Sequence, residues 1–154
     1  MKVIMPGSYD PVTLGHLEMI EEAAKKYDEV FVVAFINPDK NYMFSIEDRV
    51  KMLMLATDHI DNVLVSYSTG FVVDYMREHG IEKIVKGYRD AGDIEYERKQ
   101  AEYNFKHGGY ETELVQCRDE MKNISSTLAR KAIECGQPLD KFLPESVIEF
   151  IKRH

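Results

Sequence analysis

Tryptophan is absent and cysteine is scarce in this sequence, which has only Cys117 and Cys135. Two cysteines cannot form the disulfide framework of a small secreted domain, and this pair lacks the spacing of metal ligands. No uninterrupted apolar run reaches the ~18–20 residues that a membrane-spanning helix needs. The N-terminal stretch also turns polar too early for a secretory signal peptide. These features lead us to expect a soluble, cytoplasmic protein in a reducing compartment, without membrane contact.

Basic residues are outnumbered, with 20 Lys and Arg against 27 Asp and Glu, which gives a formal net charge of −7. This balance argues against sequence-independent binding of DNA or RNA, although a small basic pocket remains compatible with it. The hydrophobic content of 44% suits a folded chain. No repeat, low-complexity tract or linker-like stretch divides the 154 residues, so residues 1–154 are expected to form a single domain.

Short apolar runs alternate with segments of helical periodicity along the chain. The apolar runs cover residues 3–5, 29–36, 62–65, 83–86 and 113–117. The helix-like segments cover residues 17–27, 45–57, 71–79, 93–105, 125–135 and 144–153. Continuous apolar runs of this kind are typical of parallel strands buried on both faces. The alternation predicts an α/β fold, a Rossmann-like, doubly wound, five-stranded parallel sheet.

The loop after the first predicted strand is the richest in candidate functional residues, because ligands of such sheets bind at the carboxyl ends of strands. From Pro6 to His16 it reads Pro-Gly-Ser-Tyr-Asp-Pro-Val-Thr-Leu-Gly-His. His16 falls near the start of a helix, where free N–H groups and the helix dipole favour an anion. The loop is neither a P-loop nor a Gly-x-Gly-x-x-Gly loop. Taken alone, Thr13 and His16 more often indicate a capped helix than a phosphate site.

The whole string from Pro6 to His16 resembles the T/H-x-G-H signature of nucleotidyltransferases, in the form found in phosphopantetheine adenylyltransferases. Three later segments extend the resemblance: residues 37–44 around Lys40, residues 86–97 ending in Glu-Tyr-Glu, and Ile-Ser-Ser-Thr-Leu-Ala-Arg at 124–130. The four motifs follow in the family's order over nearly the whole chain. The resemblance implies transfer of the adenylyl group of ATP to 4′-phosphopantetheine, giving dephospho-coenzyme A and pyrophosphate.

The resemblance implies that His16 is the main hydrogen-bond donor to the transition state and that Thr13 places or assists it. Because the acceptor phosphate is already anionic near neutral pH, no general base is required. The residues then expected to bind ATP are Ser8, Tyr9, His16, Gly87, Tyr88, Arg89, Glu97, Met121, Lys122, Asn123, Ile124, Ser125, Ser126, Thr127 and Arg130. The residues expected to bind phosphopantetheine are Ser8, Lys40, Val72 and Lys86.

The same resemblance implies a cofactor and an assembly. Mg²⁺ would bind mainly through the ATP phosphates, without a dedicated set of protein ligands. The family further implies a homohexamer and feedback binding of coenzyme A, with ATP and 4′-phosphopantetheine as partners and no nucleic acid.

Several of these residues also have plainer interpretations. Lys40 suits a solvated loop, and Glu97 suits an exposed helix charge paired with a basic neighbour. Ser125 and Ser126 suit simple helix caps, and Val72 suits the hydrophobic core.

Two departures from the family pattern concern the fine contacts to the substrates, since Lys86 and Tyr88 replace the usual Arg and Leu. Two rival functions remain open at this stage. One is a sister nucleotidyltransferase that acts on nicotinate mononucleotide or, with CTP, on a phosphorylated alcohol. The other is a nucleotide-binding regulatory module without catalysis, which would be expected to have lost a key polar residue.

Overall fold

The computed structural model describes residues 1–154 as strands and helices in alternation. The strands are β1 (Lys2–Gly7), β2 (Glu29–Phe35), β3 (Val63–Ser68), β4 (Lys83–Tyr88) and β5 (Glu111–Gln116). The helices are α1 (Leu14–Lys26), α2 (Ile46–Thr57), α3 (Val72–His79), α4 (Ala91–Gly108), α5 (Ser126–Glu134) and α6 (Glu145–Arg153). None of them combines the length and apolarity needed to cross a bilayer.

The five strands form one parallel sheet in the order β3-β2-β1-β4-β5, which confirms the predicted fold class. The chain winds outward from β1 to β3 and then returns to β4 and β5, so the switch point lies between β1 and β4. These two strands pair only at Val3 with Lys83 and at Ile4 with Ile84. Beyond those pairs they separate, and this leaves a crevice at their carboxyl ends.

Two strands run further than the sequence predicts. β1 continues through Pro6 and Gly7, which pair with Val33 and Ala34 of β2. Pro6 lacks an N–H group, and it lies where β1 has already left β4, so its missing donor disrupts no ladder on that side. β4 likewise runs through Gly87, which pairs with Val115 of β5.

The prediction that every strand is buried on both faces is wrong for the two outer strands. β1 and β2 each contain a run of buried residues, whereas β3 and β5 contain no fully buried residue. The reason is topological, because β3 and β5 form the edges of the sheet. An edge strand has a neighbour on one side only.

Alternate residues of the inner strands enter two separate cores, one on each face of the sheet. Val3 and Met5 of β1 belong to the larger core, which includes buried residues of α1, α2, α5 and α6. Ile4 belongs to the smaller core, together with Tyr75 and Met76 of α3. The sheet is therefore the middle layer of three.

Helix starts follow their capping residues. Ser45 caps α2 by accepting a hydrogen bond from the N–H of Asp48 at 3.1 Å, so α2 has the predicted bounds. α1 begins at Leu14, three residues before the predicted start, because Thr13 is its N-cap. Pro144 is the N-cap of α6 rather than a residue of its first turn.

Candidate active site

A cavity of about 390 Å³ occupies the crevice between the carboxyl ends of β1 and β4. The loop after β1, the end of β4 and the start of α5 line it together. The sequence-predicted residues that line it are Ser8, Tyr9, Thr13, His16, Lys40, Lys86, Gly87, Tyr88, Arg89, Glu97, Met121, Ile124, Ser125, Ser126, Thr127 and Arg130. The fold thus brings all four family-like motifs to one place.

Three predicted site residues lie outside this cavity. Val72 is the first residue of α3 and packs against the smaller core, as its plainer interpretation holds. The expectation that it touches the pantetheine arm stays a prediction. Lys122 pairs with Asp119 at 3.0 Å, and neither Lys122 nor Asn123 lines the cavity. Exposure on the loop before α5 accounts for both.

Thr13 and His16 form a reciprocal cap at the start of α1. The Thr13 hydroxyl accepts a hydrogen bond from the backbone N–H of His16 at 3.3 Å. In return, the backbone N–H of Thr13 donates to Nδ1 of His16 at 3.0 Å. An amide N–H can only donate, so Nδ1 carries the lone pair and the neutral ring has its proton on Nε2. Nε2 has no protein partner and is the ring's available donor.

The surroundings keep the His16 imidazole uncharged. Burial, reinforced by the positive charges of Lys86 and Arg89, lowers the pKa of His16 to about 4. The ring of Tyr9 contacts it edge-on, with centroids 4.9 Å apart. Tyr9 is buried and has a φ of +50°, a conformation that non-glycine residues rarely adopt. At neutral pH His16 is therefore a neutral hydrogen-bond donor that lines the cavity.

Four side chains donate hydrogen bonds to carbonyl groups at the end of β1 and in the loop that follows it. Lys86 Nζ donates to Pro6 at 3.2 Å, and Arg49 Nη1 donates to Ser8 at 2.8 Å. Arg130 Nη1 donates to the Asp10 carbonyl at 2.9 Å, and the Ser126 hydroxyl donates to the Pro11 carbonyl at 2.8 Å. The carbonyl oxygens are thus turned onto protein donors.

The start of α5 presents backbone N–H groups to the cavity. Ser125 is the N-cap, and its hydroxyl accepts from the N–H of Leu128 at 3.1 Å. The Ser126 hydroxyl is committed to Pro11, and the Thr127 hydroxyl accepts from Arg130 at 3.2 Å. The N–H groups of Ser126 and Thr127 lie in the first turn and have no helical acceptor. Unpaired N–H groups at the start of a helix are suited to binding an anion.

Positive side chains surround the same space. Lys40 Nζ donates to the Ser8 hydroxyl at 3.1 Å, which brings the Lys40 loop against the first loop. Arg89 is held by Asp93, whose carboxylate accepts from both its backbone N–H and its Nε at 3.0 Å. The protein as a whole has a negative net charge, whereas cationic side chains outnumber carboxylates in the lining of the cavity.

Glu97 is the only buried residue of α4 and lies 3.6 Å from Lys86 Nζ. Burial raises its carboxyl pKa, while the Lys86 charge opposes that rise. Its Oε2 atom is buried and has no hydrogen-bond partner. The plainer interpretation of an exposed charge paired with a basic neighbour in sequence is wrong, because the partner is Lys86 across the cavity wall.

Asp10 and Arg49 contact the loops of the site, although no sequence motif indicates either residue. Asp10 is 3% exposed, and its two carboxylate oxygens accept from the N–H groups of Met43 and Phe44, each at 2.9 Å. It joins the first loop to the Lys40 loop. Arg49 lies in α2, far along the chain from the loop it contacts. No local sequence pattern predicts either contact, because the two partners of each are more than 30 residues apart in the chain.

The sequence model of the cytidylyltransferase-like family matches residues 4–132. A phosphopantetheine adenylyltransferase of Symbiobacterium thermophilum is 42% identical over 145 residues, which cover 94% of this chain and 90% of the relative. A phosphopantetheine adenylyltransferase of Corynebacterium efficiens is 38% identical over 154 residues, covering 99% of this chain and 97% of the relative. The chain belongs to the phosphopantetheine adenylyltransferase family. The Corynebacterium efficiens relative matches 99% of the chain, so the relationship includes α6, which lies beyond the part that the family model matches.

Membership of the phosphopantetheine adenylyltransferase family agrees with the resemblance that the four motifs carry. It also bears on the rival functions. The sister nucleotidyltransferases would share the first loop, but both relatives carry the name of the phosphopantetheine enzyme. The regulatory module was expected to have lost a key polar residue, and Ser8, Lys40 and Arg89 are all present in the cavity.

Proposed function

We propose that this protein transfers the adenylyl group of ATP to 4′-phosphopantetheine, giving dephospho-coenzyme A and pyrophosphate. The observation that carries the proposal is one cavity lined by a neutral histidine donor, a helix N-terminus and four cationic side chains. These are the groups needed to hold two polyanionic substrates and to stabilise charge between them. The relatives named phosphopantetheine adenylyltransferase supply the acceptor.

The reaction is an in-line displacement at the α-phosphorus of ATP. An oxygen of the acceptor phosphate forms the new P–O bond as the bond from the α-phosphorus to the bridging oxygen of pyrophosphate breaks. The acceptor is already an anion, so the protein removes no proton. Its task is to align two anions that repel each other and to stabilise the charge that develops on the α-phosphate.

His16 is the donor to the α-phosphate in this mechanism. Its Nε2–H is unpartnered, and its low pKa keeps the ring neutral at pH 7. The neutral ring can therefore donate a hydrogen bond from Nε2 without first gaining a proton. Thr13 acts by fixing the orientation of the ring through its backbone N–H and hydroxyl.

The β- and γ-phosphates would bind at the start of α5. The free N–H groups of Ser126 and Thr127, with the helix dipole, favour a negative charge there. Arg130, one turn further along, is tethered to the Asp10 carbonyl and to the Thr127 hydroxyl, so its guanidinium borders the same space. Arg89 supplies a further positive charge on the β4 side.

The acceptor phosphate would bind between the first loop and the end of β4. Ser8, Lys40 and Lys86 border this part of the cavity. Lys40 already contacts the Ser8 hydroxyl, and Lys86 donates to the Pro6 carbonyl and pairs with Glu97. Both ammonium groups therefore lie close to the first loop before any ligand arrives.

Mg²⁺ fits this site as an ion held through the phosphates of ATP. The cavity is lined by three carboxylates, and each already has a partner: Asp10 with two backbone N–H groups, Asp93 with Arg89, and Glu97 with Lys86. No group of three or more His, Cys, Asp or Glu side chains is arranged to hold a metal. When bound, the ion would neutralise phosphate charge.

The remaining proposals concern assembly, regulation and location. Self-association, as a homohexamer, is supported by the exposed aromatic side chains of α4, Tyr96, Tyr103 and Phe105. Feedback binding of coenzyme A is supported by chemistry, since coenzyme A contains the same phosphopantetheine arm as the acceptor. A cytoplasmic location fits an enzyme that uses ATP and keeps two free cysteines.

The direct test is an acceptor screen with the purified protein and Mg²⁺. Pyrophosphate release is measured with ATP or CTP, each combined with 4′-phosphopantetheine, nicotinate mononucleotide or phosphocholine. We expect release with ATP and 4′-phosphopantetheine, together with dephospho-coenzyme A by mass spectrometry. Release with another pair, and none with this one, would assign the protein to a sister activity. ATP binding without release from any pair would favour the regulatory module.

A further inference from the structure

Arg49 is a buried cation without a carboxylate partner. It lies in α2 and is 2% exposed, and no Asp or Glu oxygen lies within 4.0 Å of its guanidinium. Its Nε atom is buried and has no hydrogen-bond acceptor. Burying an unpaired charge is costly, and an apolar side chain of similar volume would avoid that cost. The contacts of the guanidinium therefore indicate why a charged residue lies at this position.

The guanidinium contacts both loops that border the acceptor part of the cavity. Its Nη1 atom donates to the Ser8 carbonyl at 2.8 Å, and more weakly to the Phe35 carbonyl at 3.5 Å. Its central carbon lies over the Tyr42 ring, 3.9 Å from the ring centroid. One side chain thus contacts the first loop, the end of β2 and the Lys40 loop.

Tyr42 connects Arg49 to Lys40, because its ring contacts both side chains. The Tyr42 hydroxyl accepts from the N–H of Asn37 at 2.8 Å, which closes the loop on itself. Lys40 Nζ lies 5.6 Å from the centroid of the same ring and donates to the Ser8 hydroxyl at 3.1 Å. Arg49 therefore holds Ser8 through its carbonyl and supports Lys40 through the ring. The two groups it positions also contact each other.

We propose that Arg49 is a positioning residue for the acceptor phosphate. It does not line the cavity and acts by fixing Ser8 and the Lys40 loop. The inference rests on the proposed function and adds a residue that does not line the cavity. Because no carboxylate neutralises it, the buried guanidinium also adds a positive potential behind Ser8. The planar group suits the task, since an ammonium cannot stack on a ring and donate to two carbonyls in the same fixed geometry.

The test compares Arg49→Lys with Arg77→Lys, a matched change at an exposed arginine of α3. For a folded Arg49→Lys protein we expect the KM for phosphopantetheine to rise about tenfold and kcat to fall, with the KM for ATP within about twofold. Arg77→Lys should match the wild type in all three constants. Unchanged acceptor constants in Arg49→Lys, or an equal rise in both KM values, would overturn the inference.

A double-mutant cycle with Lys40→Ala separates positioning from general damage. If Arg49 acts through Ser8 and Lys40, Arg49→Lys should raise the acceptor KM less in the Lys40→Ala background than alone. Independent, multiplicative effects would contradict the proposal. Tyr42→Leu removes the ring and is predicted to give the same KM split, which keeps the test available if Arg49→Lys does not fold. A wild-type protein without pyrophosphate release would refute the function itself, and this outcome is distinct from a normal Arg49→Lys enzyme.

Discussion

The backbone N–H of Thr13 donates a hydrogen bond to Nδ1 of His16, across 3.0 Å. This contact determines which ring nitrogen carries the proton. The contact is part of the cap of α1, so the tautomer depends on where the helix begins. The proposed catalytic donor is thus oriented by the same groups that start the helix. The same hydrogen bond caps α1 and leaves the Nε2–H of His16 as the donor, and the predictions for His16 follow from it.

The titration of His16 is the first prediction. Burial and the neighbouring cations lower its pKa to about 4, so the ring should be neutral with its proton on Nε2 throughout the neutral range. The unfolded chain binds this proton more readily, so the contribution to stability is complete above ~6.5 and is lost as pH falls toward about 4. NMR of ¹⁵N-labelled histidine side chains should find the Nε2–H tautomer at pH 7. A midpoint near that of free histidine would contradict the burial that we describe.

Loss of the His16 donor should reduce turnover far more than ATP affinity. We expect His16→Ala to lower kcat by roughly 10²–10³-fold, as for one preorganised donor, because the contact strengthens mainly in the transition state. Steady-state kinetics and ATP calorimetry measure the two effects. His16→Gln is the control for folding, since a glutamine at this position can still accept from the Thr13 N–H. Near-normal turnover in a folded His16→Ala protein would remove His16 from the mechanism.

Replacing Lys86 should affect the acceptor and spare the nucleotide. We expect Lys86→Ala to raise the KM for phosphopantetheine and to lower kcat, because a loosely held nucleophile is also poorly aligned. Lys86→Arg should remain within about tenfold of wild type, since charge dominates over the two-pronged geometry of arginine, unless Tyr88 occupies the space that a guanidinium needs. The KM for ATP should change little in both variants. A response of the ATP KM alone would assign Lys86 to the nucleotide.

The Ser126 position tests the polyphosphate site. Ser126→Asp sets a carboxylate beside the expected β- and γ-phosphates, so ATP affinity should fall sharply. Stability should not rise, because Ser125 is the N-cap and the change removes the hydrogen bond from Ser126 to Pro11. Ser126→Ala loses that hydrogen bond without adding a charge and is the matched control, expected to retain most of the ATP affinity. Equal ATP affinity of the two variants by calorimetry would exclude phosphate binding at this helix start.

Local signals predicted much of the fold. The bounds of α2 follow from the Ser45 cap, and the left-handed residue Gly80 ends α3 where the sequence predicts. The parallel sheet follows from strand–helix alternation. The half-buried state of β3 and β5 did not follow, because an apolar run does not reveal whether its strand lies at the edge. Pro6 and Gly7 were expected to stop β1, but pairing with β2 continues through them.

The site was predictable where a motif carries it and not where the contacts are long-range. The first loop and the start of α5 were expected to meet a ligand, and the fold brings them to one cavity. The pairing of Lys86 with Glu97 depends on how α4 crosses β4, and the contacts of Asp10 and Arg49 depend on how three loops meet. Val72 had both a functional and a core interpretation, and its packing against the smaller core supports the second without testing the first.

Bond formation between an oxygen of the acceptor phosphate and the α-phosphorus of ATP is the central claim, and oxygen labelling tests it most directly. The protein is incubated with ATP, Mg²⁺ and 4′-phosphopantetheine whose phosphate carries ¹⁸O at its non-bridging oxygens, and the products are weighed by mass spectrometry. We predict that dephospho-coenzyme A retains all of the label and that pyrophosphate contains none. Label in pyrophosphate, or the absence of dephospho-coenzyme A, would contradict the account.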